Sequence, residues 1–155
     1  MDRVSPAGVF AELASAYLVL LDAPGTDRAL FLRAVEARLA GLLASVHDLP
    51  EVSPDSADVA TTERSMSPTV ARLLSGISIY RTVFDPTELD DDEIVVGSLV
   101  DDLGDVYRDL AEGLTEWNGG RLNDAIWTWK FGYGTHWGRH ATDALKTIWA
   151  LNHTA

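Results

Sequence analysis

Two histidines, His136 and His140, stand four residues apart in the stretch Trp127-Thr-Trp-Lys-Phe-Gly-Tyr-Gly-Thr-His136-Trp-Gly-Arg-His140-Ala-Thr-Asp143. On a helix that spacing sends both imidazoles out from one face, so the two rings can share a metal ion that carboxylates of a neighbouring helix complete. The ligand set is thin: the glutamates of the di-iron carboxylate pattern are missing, and only these two histidines are suitably placed. A carboxylate beside either ring would instead raise its proton affinity and make an acid–base pair. The third chemistry is structural, with each ring donating to Asp102, Asp143 or a backbone carbonyl and fastening two helices together. All five tryptophans lie between Trp117 and Trp149. Trp129, Tyr133 and Trp137 are therefore candidates for a ligand-stacking wall, with core packing as the competing reading. No serine or cysteine nucleophile motif, phosphate-binding glycine loop or dinucleotide fingerprint accompanies them.

The helices that must position these groups are legible around them. Ser98-x-x-Asp101 resembles a capping box and opens a fourth helix, whose buried stripe is Leu99, Leu103, Val106, Leu110, Leu114 and Trp117. Asp102, Asp109 and Glu116 lie along one shoulder of that stripe, with Asp105 and Glu112 further round toward solvent. Asn118-Gly119-Gly120 ends it. A fifth helix is expected from about 122 to 151, with Ile126, Tyr133, Trp137, Ala144 and Ile148 on one face and Trp129, His136, His140 and Asp143 flanking it. If Trp117 faces Leu122 across the turn, Asp102 falls level with Trp137, between the two histidines. Asp109 then falls opposite Lys130, and Asp101 near Arg139. Gly134 and Gly138 share a face that could admit a second helix closely; a kink near Gly132 is the competing explanation.

Upstream, Ser5-Pro6 starts one helix that runs to Ala23-Pro24, and Thr26 or Asp27 caps a second that ends before Leu49-Pro50. Residues 50–67 read as a loop. Ser67-Pro68 opens a third helix through Val70, Leu73, Leu74, Ile77 and Tyr80. The acidic run between 85 and 97 reads as solvated loop and lacks the spacing and glycine of a calcium-binding EF-hand. The expected architecture is an all-α single domain over 1–155, with about five helices in an up-and-down bundle and the last two forming a long antiparallel hairpin.

Composition narrows the partners. The 155 residues carry 24 acidic against 12 basic side chains, a formal net charge of −12. Phosphate backbones and anionic lipid surfaces repel such a chain, which argues against nucleic acid and membrane. Zero cysteines leave no disulfide or thiolate chemistry and fit a cytoplasmic location. No stretch approaches the roughly 18 apolar residues that span a bilayer. The start, Met1-Asp-Arg-Val-Ser-Pro, lacks a basic segment followed by an apolar core, so no secretory signal is expected.

Two segments carry a resemblance: 96–114, from Val96-Gly-Ser-Leu-Val-Asp-Asp-Leu-Gly-Asp-Val-Tyr107 to Leu114, and 125–145, with Ala125-Ile-Trp-Thr-Trp-Lys-Phe and Thr135-His-Trp-Gly-Arg-His-Ala-Thr-Asp143. Together they resemble a bacterial helical family called domain of unknown function 5063, over about 84–150. The resemblance implies Asp101, Asp102, Tyr107, Asp109, Trp129, His136, Trp137, His140 and Asp143 as family-motif positions. One departure is Gly134, where the family pattern carries an acidic residue. The leading functional reading is a non-enzymatic interaction or small-ligand-binding module, working through a protein partner or homodimer, with no cofactor. The alternative is a metal-dependent enzyme using His136 and His140 with Asp102 or Asp109, for which a divalent metal is the cofactor.

Overall fold

A computed structural model describes residues 5–58 and 60–154. Met1–Val4, where no secretory signal is expected, lie outside the described residues, as do Val59 and Ala155. The first two helices form where their caps stand. Helix α1 (Pro6–Asp22) has proline in its first turn and the Ser5 hydroxyl accepting from the Gly8 amide at 3.0 Å. Helix α2 (Arg28–Ser45) is capped by Asp27, which accepts from the Leu30 amide at 3.0 Å. Helix α4 (Leu99–Asn118) carries the expected Ser98 cap on the Asp101 amide, and it lies against α1, α5 (Leu122–Thr135) and α6 (Trp137–His153). Helix α2 closes the other side against α1 and α6. The core between them is apolar and fully buried, with Phe10, Tyr17, Leu21, Phe31, Leu39, Leu103, Leu110, Trp129, Trp137 and Ile148 at its centre.

Two expectations are corrected. The third helix is short: α3 covers Thr69–Leu73, and Gly76 at φ +83° turns the chain out of it. The residues that follow form strand β1 (Ile79–Thr82), paired antiparallel with β2 (Val95–Ser98), Ile79 opposite Ser98 and Tyr80 opposite Gly97. Isoleucine, tyrosine, threonine and valine suit a pleated, half-buried ribbon better than an isolated helix end. Gly97 permits the pairing, since a Cβ there would stand 2.3 Å from the Tyr80 ring, which crosses the strand inward. The protein is thus mostly helical, with six α-helices and one two-stranded sheet among the described residues, rather than strictly all-α. The acidic run between the strands is exposed throughout 85–94, as a solvated loop should be.

The second correction is the fifth helix, which breaks at His136 (φ −149°, ψ −77°) into α5 and α6. The Trp137 indole donates to the Trp129 carbonyl at 2.9 Å, folding the chain back on itself with both indoles buried. Gly138 makes the bend feasible, because a Cβ there would lie 2.1 Å from the Tyr133 carbonyl oxygen. Gly134 meets nothing within 4 Å. The break, not admission of a second helix, therefore explains Gly138, and Gly132, where a Cβ would lie 2.9 Å from the Trp137 ring. The α4–α5 pair still forms an antiparallel hairpin, held where Thr128 donates to Glu116 at 2.7 Å and the Trp129 indole to the Leu110 carbonyl at 3.3 Å.

Candidate site on the α4–α6 seam

The bend delivers both histidines to the polar shoulder of α4. The His140 Nδ1 lies 2.8 Å from Asp102 Oδ1, and the His136 Nδ1 lies 2.7 Å from Asp109 Oδ2. An ionised carboxylate only accepts, so each ring presents a protonated Nδ1 to its aspartate. The His140 Nε2 is 3.4 Å from Asp105 Oδ2, while Asp105 Oδ1 is held by Arg108 Nη2 at 3.2 Å. The two rings meet edge to face with centroids 4.8 Å apart. One ligand-type atom from each of Asp105, His136 and His140 lies within 4.8 Å of the other two, and among the described residues these three have the geometry to hold an ion.

Burial grades across the seam. Asp102 is buried, and the Tyr80 hydroxyl donates to its second oxygen at 2.5 Å. Burial pushes the Asp102 carboxyl above its usual range, while hydrogen bonds from Tyr80 and His140 pull it back. The Tyr80 phenol is raised by burial and by its bond to Asp102, so it stays a donor. Further along α4, burial and then the Asp109 charge raise Glu112. The histidine side chains remain open to solvent, His136 44% and His140 28% exposed.

Asp102, Asp109, His136 and His140 thus converge, but in a different register from the one expected. Asp109 meets His136 rather than Lys130, whose ammonium instead donates to the Leu49 carbonyl at 3.1 Å and pairs with Glu51. Arg139 does not approach Asp101; it donates to the Phe84 carbonyl, its guanidinium 3.9 Å from the centre of the Phe84 ring. Trp129 and Trp137 are wholly buried and form core, not a ligand wall. Tyr107 is buried too, its hydroxyl donating to Asp22 Oδ1 at 2.6 Å and tying α4 to α1. Tyr133 and Asp143 line a separate open groove of about 660 Å³ with Phe84, Arg139 and Lys146, and Gly134 lies on that same groove. Asp105, Arg108 and Tyr80 were missed. Asp105 could have been found from its i,i+3 spacing to Asp102, which places the two carboxylates on neighbouring faces of one turn.

A family model matches residues 5–154, nearly the whole chain. The chain belongs to the family "Domain of unknown function (DUF5063)". Membership therefore extends well beyond the 84–150 region that carries the motifs and takes in α1 and α2. The fold is also similar to the crystal structure of protein BF1032 from Bacteroides fragilis, with a TM-score of 0.76 over 95% of this chain and 92% of that one. At 16% identity that likeness speaks to fold alone. No curated protein matches the chain. Among the described residues, no helix is long and apolar enough to cross a membrane.

Proposed function

We propose that this chain is a non-enzymatic small-ligand-binding module of the cytoplasm, whose binding site is the seam between α4 and the α5–α6 bend. The observation that carries the reading is orientation without burial. Asp105, His136 and His140 are each held by protein partners, with His140 Nε2 and Asp105 Oδ2 facing each other at 3.4 Å, yet all three side chains stay partly open to water. Holding half-exposed side chains in one geometry costs rotamer entropy and returns at most about 1 kcal/mol per exposed ion pair. Such pairs are weak glue beside a core that buries Trp129 and Trp137. They make better sense as groups prepared for something that binds. The cysteine-free composition fits the reducing compartment.

Fastening is the competing role, and denaturant unfolding of a His136→Ala/Asp105→Asn double variant separates the two. A ligand site predicts a loss of about 1.5 kcal/mol or less, because the variant removes three surface pairs (His136–Asp109, Asp105–Arg108 and Asp105–His140) of about 0.5 kcal/mol each. A loss of about 3–5 kcal/mol, the scale of a broken buried pair, would make these residues structural and end the reading.

A further inference from the structure

We infer that Asp105, His136 and His140 form a binding site for a late first-row divalent metal ion of the zinc type. The inference rests on the ligand-binding reading above and names the ligand. Three features of the seam carry it.

The donor set comes first. Two imidazole nitrogens and one carboxylate oxygen suit zinc, cobalt or nickel, whereas calcium and magnesium take sites built from oxygen. The second feature is distance. Two ligands of a tetrahedral zinc, each about 2.0–2.1 Å from the ion, stand about 3.4 Å apart. The His140 Nε2 and Asp105 Oδ2 are already 3.4 Å apart. One ligand-type atom from each of the three residues falls within 4.8 Å of the other two, close enough for side-chain adjustment to gather them on one ion.

The third feature is the set of groups behind the ligands. Metal-ligating histidines characteristically donate their other ring N–H to a carboxylate, which fixes the tautomer and strengthens the free nitrogen as a donor. Both rings have that arrangement, His140 on Asp102 and His136 on Asp109. Asp102 is steadied in turn by Tyr80, and Asp105 by Arg108. Three aspartates around one point, with a single arginine among them, also leave negative charge that a divalent cation would neutralise. Three protein ligands complete only part of a tetrahedron, so the remaining position opens to solvent and takes water or an exogenous donor.

The test is calorimetric titration of chelator-treated full-length protein with zinc chloride in excess magnesium, repeated with cobalt chloride to read its visible spectrum. One ion per chain is expected, with a cobalt spectrum of low-symmetry N/O ligation. Affinity should fall at least about 10-fold in His136→Ala, His140→Ala and Asp105→Asn, and about 10–100-fold in Asp109→Asn, which acts through the His136 ring. Substituting Asp90, Asp91 and Asp92 together by asparagine should leave it unchanged. Asp105→Asn changes one half-exposed side chain at constant shape, so it decides the matter even if a histidine variant fails to fold. Zinc binding that survives both histidine substitutions, or no stoichiometric binding by the wild type, overturns the inference. Absent metal binding alongside a near-native stability of the His136→Ala/Asp105→Asn variant would still leave a site for another ligand. A severe stability loss in that variant would remove the site altogether.

Discussion

Replacing Gly138 and Gly134 by alanine should move stability in opposite directions, although the two glycines are only four residues apart across the bend. At Gly138 the new Cβ would stand 2.1 Å from the Tyr133 carbonyl oxygen, about 1.3 Å inside the closest ordinary contact, with the Tyr133 ring at 2.7 Å as a second obstacle. The obstruction is backbone and cannot swing aside as a side-chain tip would. Overpacking of this kind costs typically 1–3 kcal/mol, and a backbone clash belongs at the upper end, about 3 kcal/mol. Alanine returns about 1 kcal/mol of helix propensity, which leaves a net loss of about 2 kcal/mol. At Gly134 nothing lies within 4 Å, and no positive φ is required, so alanine should gain about 0.5–1 kcal/mol. Urea unfolding of both variants gives the comparison, with an expected separation of about 3 kcal/mol. Equal shifts, or a Gly138→Ala variant as stable as Gly134→Ala, would mean that the bend does not depend on Gly138. The same clash should displace His136 and His140 together, since they flank it.

Tyr107→Phe should cost about 1.5–3 kcal/mol, because it removes a hydrogen bond to the Asp22 carboxylate without changing shape. Its pH signature has a definite sign. Burial and the Asp22 bond raise the Tyr107 phenol to about 12, above its value in the unfolded chain, so its contribution is full below about pH 10 and is lost as pH rises through 12. Unfolding followed from pH 9 to 12 should show that loss in the wild type and a smaller one in the variant. Glu116→Gln should stabilise at neutral pH by up to about 1 kcal/mol, since burial holds the Glu116 carboxyl above its usual range and an amide oxygen can still accept from Thr128. Here the folded value lies above the unfolded one, so the cost of the charge appears as pH rises through the folded value. The gain should therefore vanish on acidification to below pH 4.

How much of this was legible from residues alone depended on whether the controlling signal was local. Ser5, Asp27 and Ser98 announced three helix starts because a cap acts within its own first turn. The stripe from Leu99 to Leu114 fixed the rotation of α4, and with it the aspartates on its shoulder. The β-hairpin was hidden because Val70, Leu73, Leu74, Ile77 and Tyr80 satisfy a helical period. What breaks that helix is Gly76 together with a strand partner some 16 residues downstream. The bend at His136 was hidden because the contact that goes with it lies outside any helical repeat, the buried Trp137 indole donating to the Trp129 carbonyl. The register taken from the 118–121 turn placed Asp109 on Lys130, whereas Asp109 meets His136. Asp105, one helical turn from Asp102, reads as solvent-facing on α4 alone and joins the seam where His140 Nε2 lies 3.4 Å from it.

The state of the two imidazoles offers the most direct check on the seam. In metal-free protein with neutral imidazoles, long-range nitrogen–proton spectra of ¹⁵N-histidine-labelled chain should show His136 and His140 protonated at Nδ1. Each Nε2 should carry a bare lone pair, and on adding one equivalent of zinc those two Nε2 signals should shift together while His47 and His153 stay in place. Protons on Nε2 in both rings, or zinc shifts spread evenly over all four histidines, would contradict a site in which Asp102 and Asp109 aim two nitrogens at a common point.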